Sequence, residues 1–282
     1  MVLESIMNPL KARRRPLWLF LLGILFALIA VAFSLWVFPS QASMVMVLLI
    51  VVMCVPLVYA TTYLEEERSV QAKRELPLLK EHGRTIFFLS LLFLGFVVGF
   101  TLLYIFLPTE TVNSLFSVQH LAIDQVNVQV SGGVTYLADF GNILFNNLKV
   151  LIFCVFFAFF FGAGAIFILA WNASVIATAI GVFFREGIAQ YAGSAGLTSG
   201  YIYFHVLTAG IGRYMTHGIF EILAYFIGGL AGGIISFGLM KHGWKSPEFK
   251  KVLFDASILL IISLLFILAG GLVETLVTPN LF

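Results

Sequence analysis

Long uninterrupted runs of apolar residues constrain this chain more than any other feature. Six runs are long enough to cross the hydrocarbon core of a bilayer, which takes about 20 helical residues. They are Leu17–Val37, Met44–Tyr63, Thr85–Leu107, Val150–Trp171, Ile219–Met240 and Phe254–Leu276. Backbone groups in lipid must be hydrogen-bonded internally, so each run is predicted to be a helix. The predicted fold class is therefore all-α, a polytopic transmembrane helical bundle.

The composition supports lipid as the solvent of this protein. Of its 282 residues, 61% are hydrophobic and 11% are charged, and the mean hydropathy is +1.04. A soluble domain carries about 25% charged residues. We therefore expect a multi-pass protein of the cell membrane, with the lipid bilayer as its first partner and no nucleic-acid partner.

The basic residues predict how the chain is oriented. Of 16 Lys and Arg, 13 fall in three clusters, within 11–15, 68–84 and 241–251. Basic residues favour the cytoplasmic side, so we expect a cytoplasmic N-terminus and an external segment Pro108–Asn147. The first run follows a basic stretch as a signal peptide does, but it is 21 residues long and a signal core has 7–15. We therefore expect an uncleaved anchor.

This orientation leaves the six runs one crossing short. Val150–Trp171 enters from outside and Ile219–Met240 must also begin outside, so the chain has to cross back between Asn172 and Arg213. The apolar stretches there are short and are separated by a Gly/Ala/Ser-rich region. Two half-helices forming a broken crossing are one solution, since irregular backbone is tolerated where protein or water surrounds it. A re-entrant or interfacial element, with a local failure of the charge rule, is the other.

The segments between the runs predict little independent structure. Leu64–Arg84 mixes acids and bases and is expected to be a short solvated amphipathic helix. Val126–Leu137 alternates around Ser131-Gly132-Gly133, which favours a small β-hairpin, with an irregular flap as the alternative. We divide the chain into residues 1–141, with three spans, and residues 142–282, and expect one integrated membrane domain.

The sequence contains none of the common catalytic motifs. It has no HExxH, no GxSxG and no phosphate-binding loop ending in GK[ST]. Cys54 and Cys154 lie inside apolar runs and are expected to pack there. Gly162-Ala163-Gly164 and the pairs Gly228/Gly232 and Gly229/Gly233 also lie in apolar runs, where small residues let helices approach closely. No cofactor and no metal are expected, and we expect no enzymatic activity.

An ionisable pair at the start of the fifth run is the strongest candidate site. His217 and Glu221 are four residues apart and share one helix face. Ionisable residues inside a membrane segment are costly and mark functional sites by default. The pair can bind a metal, relay a proton, or bond to neighbouring helices. A zinc site requires a third ligand, and the sequence offers no obvious one.

Helix length brings further polar residues to the same depth. Glu221 lies 19 residues before Met240, and Glu274 lies 20 residues after Phe254, so each is about 30 Å from the same end. A polar layer at the outer interface is predicted, with Arg213 as the nearest base. Its members are Asn146, Asn147, Arg213, His217, Glu221 and Glu274, and Asn172 is added as a further polar candidate. The alternative is that residues at span ends simply reach water.

Four short motifs in the second half resemble those of the stage II sporulation protein M family. They are Asn146-Asn147, Gly162-Ala163-Gly164 followed by Asn172, His-Gly-x-x-Glu at 217–221, and Ala-Gly-x-x-Glu at the end of 269–274. The family usually has Pro before the His, where this chain has Thr216. The resemblance covers roughly Asn142 to Pro279.

That resemblance implies a function only in outline. The family's namesake looks like a non-catalytic membrane subunit acting with peptidoglycan-degrading partners during engulfment. We therefore expect a scaffold or a subunit of a membrane complex with possible protein partners; the sequence does not predict the oligomeric state. The alternative is a transporter or permease component that uses His217, Glu221 and Glu274 as a solute or proton site. A membrane-embedded enzyme comes third.

Overall fold

The protein is a bundle of long helices, seen in a computed structural model that describes residues 16–130, 136–161, 164–195 and 200–281. Seven helices in this part of the chain are long and apolar enough to cross a membrane. These are α1 Pro16–Val37, α2 Ala42–Gln71, α3 Glu75–Phe106, α6 Tyr136–Phe161, α7 Ala165–Ala195, α8 Gly200–His242 and α9 Pro247–Leu276. The shorter α4 Thr109–Leu115 and α5 Ser117–Val130 follow α3, and α10 Thr278–Leu281 ends the described chain. The predicted all-α polytopic class is confirmed.

A seventh candidate span lies where a further crossing was expected, and it is a single helix and not a broken one. The run predicted as Val150–Trp171 is divided between α6, which ends at Phe161, and α7, which begins at Ala165. The seventh candidate span, Ala165–Tyr191, is one unbroken helix. Gly164 lies between the two helices, where a Cβ would come 2.3 Å from the carbonyl oxygen of Phe157. The Gly-rich motif therefore marks a boundary between helices at Gly164; Gly162 and Ala163 lie outside the described residues.

Two glycines hold α1 and α3 in close parallel contact. A Cβ at Gly23 would come 2.3 Å from the carbonyl oxygen of Leu92, and one at Gly95 would come 2.2 Å from that of Phe20. Gly99 packs on Ala27 with the same sequence offset, so the two helices run in the same direction. Only a residue without a side chain allows backbones to approach this closely.

The GxxxG pattern of α8 has the packing role expected of it. Gly232 faces α6, where a Cβ would come 2.6 Å from the carbonyl oxygen of Val155. Gly228 faces the same helix at Leu151, and Gly229 faces Ala165 of α7. The glycines of α8 thus allow α6 and α7 to pack closely against it on different sides.

The segment after α3 is helical and partly inserted in the bundle. Residues 126–130 belong to α5, so the predicted hairpin and the irregular flap are both wrong there; residues 131–135 lie outside the described residues. Phe116, between α4 and α5, is fully buried against the rings of Phe100 and Tyr104. The alternation of apolar and polar residues covers only a few positions, and the packing of this segment against the bundle favours a helix.

A buried amide fixes α5 to two spans. Gln119 accepts a hydrogen bond from the Ser43 hydroxyl at 2.7 Å and donates one to the Ser174 hydroxyl at 3.1 Å. The next residue, His120, lies 3.0 Å from the Tyr104 hydroxyl. Burial lowers the pKa of His120, while Asp124 acts in the opposite direction. Burial favours the neutral ring, and a neutral ring nitrogen can accept a hydrogen bond from the Tyr104 hydroxyl.

The stretch Leu64–Arg84 is not a separate solvated helix. It consists of the last two turns of α2, a short connection, and the first turns of α3. Glu65 and Glu66 are 1% and 0% exposed, so acids expected in water lie inside the protein. At this end of the bundle Glu66 also meets Lys241 at the end of α8, which places two of the three basic clusters together.

Candidate functional site

Residues of three helices meet in a polar cluster inside the bundle, which we call the carboxyl layer: Asn147, Glu221, Tyr225 and Glu274. The Asn147 amide donates to a carboxylate oxygen of Glu221 and accepts from the Tyr225 hydroxyl at 3.0 Å. Glu274 lies one turn after Gly270, whose backbone faces Cγ of Glu221, so the two acids come close together. Asn147 and Tyr225 are buried, whereas both carboxyl groups are half-buried. The layer therefore joins α6, α8 and α9.

A glycine makes room for this contact. Gly270 lies one turn before Glu274 on α9, and a Cβ there would come 3.1 Å from Cγ of Glu221. The next residue, Gly271, similarly faces Phe140 of α6. The Ala-Gly-x-x-Glu motif thus combines the carboxyl group with the small residue that lets α8 lie beside it.

The carboxyl layer lies deeper than the sequence indicated. Gly187 packs on Val206 and Gly210 on Phe183, so Arg185 is level with Thr208. The Arg185 guanidinium donates to the Leu107 carbonyl at the end of α3. Glu221 follows Thr208 by 13 residues, which places it roughly 15–20 Å from the end of α3. The layer is therefore well inside the bundle and not at its outer edge.

The other candidates do not all belong to this layer. His217 is one turn further out, and its Nδ1 lies 3.2 Å from the Thr278 hydroxyl of α10. Asn146 is exposed, next to its buried neighbour. Asn172 lies on α7 and donates to the carbonyl of Ile168 in its own helix at 2.8 Å.

Arg213, the nearest base in the sequence, is not paired with either carboxyl group. It is exposed and lies eight residues before Glu221, about 12 Å along the helix axis. Among the described residues no ion pair joins Arg213 to Glu221 or Glu274. The distance along α8 is the physical reason.

The carboxyl layer brings two acids close together inside the bundle, where two like charges would repel each other. The Asn147 amide donates to one of the two carboxyl groups. In the part of the chain that the structure describes, no group of three or more His, Cys, Asp or Glu residues is placed to hold a metal ion.

A second polar cluster, at the opposite end of the bundle, was missed by the sequence analysis. We call it the basic-end cluster: Glu65, Ser69, His82, Thr85 and Asp255. The two ring nitrogens of His82 lie 2.7 Å from Glu65 and 3.0 Å from Asp255. Thr85 donates to Glu65 at 2.8 Å, and Ser69 donates to Asp255 at 2.6 Å. All five residues are buried, and they join α2, α3 and α9.

The charge of His82 in this cluster depends on whether its two acid partners are ionised. An ionised carboxylate only accepts hydrogen bonds, so with both acids ionised both nitrogens of His82 donate and the ring is an imidazolium. Arg68 adds a second cation beside Glu65. Asp255 Oδ1 is buried without a hydrogen-bond partner in the described structure. Two anions and two cations then balance.

The adjacent acid makes a separate connection. Glu66 pairs with Lys241 and lies 2.9 Å from Nε2 of His242, both at the end of α8. The Lys241 ammonium also lies 3.4 Å from the ring centroid of Tyr63. Two consecutive acids of α2 therefore make different connections. Glu65 connects to α9 through His82 and also has Arg68 beside it, whereas Glu66 connects to α8 through Lys241.

One feature of the sequence pointed to this cluster. Asp255 is an acid at the start of the last predicted span, just after Lys250 and Lys251. An acid within an apolar run requires a buried partner. That partner was not identified because Glu65 and His82 lie in a charged stretch that was expected to face water.

The comparison with protein families covers nearly the whole chain. A family model described as Stage II sporulation protein M matches residues 17–279, so the chain belongs to this family. The match extends the resemblance, seen from Asn142 onward, to the first three spans. No curated protein matches the chain, and no solved structure does.

Replacing Asn147 tests the carboxyl layer. Asn147→Ala removes the donor to Glu221 and the acceptor of Tyr225, leaving polar groups unsatisfied inside the bundle. We expect a loss of about 1–3 kcal/mol in the free energy of unfolding. Asn146→Ala is the matched control, because the same side chain is deleted one residue away at an exposed position. Unfolding in mixed micelles measures both; equal effects would contradict the geometry.

Replacing His82 tests the basic-end cluster. His82→Ala leaves Glu65 and Asp255 buried without the imidazole, and breaking a buried ion pair in this way costs about 3–5 kcal/mol. Arg84→Ala is the control, since the Arg84–Glu81 pair is exposed and is worth roughly 0–1 kcal/mol. Thermal unfolding in detergent compares the two. A His82 variant as stable as the Arg84 variant would refute the network.

Proposed function

We propose that this member of the stage II sporulation protein M family is a non-catalytic subunit, or scaffold, of a membrane complex. The strongest support for this proposal is that the buried polar groups of the protein bond one helix to another. In the described residues, the carboxyl layer joins α6, α8 and α9, and the basic-end cluster joins α2, α3 and α9. Such bonds fix the relative positions of the spans, which is what a scaffold requires.

A cavity between the spans also supports a structural role for the interior of the bundle. It is lined by α2, α3, α7 and α8, and its lining is apolar except for Thr62. Phe93, Phe96 and Phe226 contribute rings to its wall. An apolar cavity does not hold a polar solute or a water chain. This supports a packing role for the interior over a solute path.

We also propose that the end bearing the basic-end cluster is cytoplasmic. Seven spans satisfy the charge rule without an exception, because all three basic clusters then fall on one side. The end of α3, with α4 and α5 after it, then lies on the opposite side, and we propose that this side is external.

Transport and scaffolding are separated by a neutral variant of the carboxyl layer. Glu221→Gln keeps the size and hydrogen bonding of the side chain but removes its acidic proton. We expect the variant to fold, and to co-purify with the same partner in the same stoichiometry as the unaltered protein. We also expect the unaltered protein to give no more proton flux in proteoliposomes than empty vesicles do. Flux that Glu221→Gln abolishes would overturn the proposal.

Labelling with a membrane-impermeant maleimide tests the orientation. Cys54 and Cys154 are buried, so the background is low. We expect Leu121→Cys to react in intact cells, and Lys245→Cys to react only after the membrane is permeabilised. The reverse pattern would invert the proposed topology.

A further inference from the structure

Burial separates the charges at the end of the bundle that bears the basic-end cluster. Residues 64–84 and 241–255 contain seven acids and nine Lys or Arg residues. Three of the acids, Glu65, Glu66 and Asp255, are at most 1% exposed, and the other four are half-buried. No acid in these two stretches is fully exposed, so bases dominate the outer surface of this end.

Most of the bases at this end have no acid partner. Arg68 and Lys241 pair with buried acids, and Arg84 pairs with Glu81. The other six are all exposed, and among the described residues none of them forms an ion pair. We call these six residues the basic face: Lys73, Arg74, Lys80, Lys245, Lys250 and Lys251. Exposed cations without nearby anions attract an anionic partner.

The basic face lies where the chain turns between consecutive candidate spans. Lys73 and Arg74 connect α2 to α3, and Lys245 connects α8 to α9. The ion pair of Lys241 with Glu66 brings the two connections to the same end of the bundle. Connections between helices that cross a membrane lie at its surface, where anionic lipid headgroups attract basic residues.

An exposed tryptophan beside these cations favours a lipid over a soluble anion as the partner. Trp244 precedes Lys245 and is 69% exposed. Its ring packs edge-on against Phe249, with 5.5 Å between the ring centroids, so its position is fixed at the start of α9. Tryptophan is enriched where the apolar and polar layers of a membrane meet. A soluble polyanion offers no apolar layer to this ring.

We propose that the basic face binds the headgroups of anionic phospholipids, with Trp244 at the same interface. The charge rule explains where the bases lie along the chain, but it does not require the acids beside them to be buried. The positive end of the α9 dipole adds to the attraction, since α9 begins at Pro247. The proposal does not depend on the scaffold function or on which side of the membrane this end faces.

Native mass spectrometry of retained lipid tests the lysines. The purified full-length protein in detergent is titrated with phosphatidylglycerol and phosphatidylcholine in equal amounts. We expect preferential retention of phosphatidylglycerol, and roughly tenfold weaker retention by the double variant Lys250→Gln, Lys251→Gln. The matched control is Lys149→Gln with Arg213→Gln, which removes the same charge from two exposed bases outside the basic face. We expect this control to behave as the unaltered protein does, and thermal unfolding checks that all variants are folded.

Replacing the tryptophan distinguishes a lipid from a soluble polyanion. We expect Trp244→Ala to retain phosphatidylglycerol at least roughly threefold more weakly, because apolar contact with the lipid is lost. Trp36→Ala is the control, since Trp36 is 78% exposed and also contacts one phenylalanine ring, but lies on α1.

Three results would each overturn the proposal. The first is equal retention of phosphatidylglycerol and phosphatidylcholine by the unaltered protein. The second is a loss in the Lys149, Arg213 control as large as that in the Lys250, Lys251 variant. The third is displacement of phosphatidylglycerol by inorganic polyphosphate together with no effect of Trp244→Ala, which would identify the partner as a soluble polyanion.

Discussion

The imidazole of His82, held between the carboxylates of Glu65 and Asp255, is the contact on which the arrangement of the helices most depends. Helices in lipid gain little from the hydrophobic effect, because lipid tails are as apolar as their own side chains. Specific bonds and close packing must set their register. The carboxyl layer supplies a second fixed level. Asp255 and Glu274 are 19 residues apart on α9, so the two levels are about 30 Å apart along that helix.

The features that could be predicted from the sequence are those that depend on the length and hydropathy of its apolar runs. The all-α class, most of the spans and the proximity of Glu221 to Glu274 rest on 1.5 Å of rise per residue, which tertiary contacts do not alter. The packing of Gly228 and Gly232 also followed, because small residues spaced by four have one common use in membrane helices. Within the carboxyl layer, Tyr225 was missed although it lies one turn after Glu221, since a tyrosine in an apolar run has no distinguishing pattern.

The features that could not be predicted depend on contacts between distant segments. Hydropathy stays high from Val150 to Phe184, so nothing in the apolar pattern separates α6 from α7 near Gly164. Glu65 and His82 have the local surroundings of a solvated loop, and only their approach to Asp255 takes them out of water. The burial of Phe116 similarly depends on Phe100 and Tyr104 of another helix. In each case the deciding partner lies outside the window in which a pattern is visible.

The glycine contact between α1 and α3 has a consequence for how the protein is made. Gly23 meets Gly95 in this contact. The ribosome adds Gly23 to the chain roughly 4–14 s before Gly95, at about 5–20 residues per second. During that interval α1 is already long enough to enter the bilayer, with its small-residue face covered by lipid. Insertion of α1 and its docking on α3 are thus separate events, and α2, which is synthesised between them and also packs on α1, is available as a neighbour first.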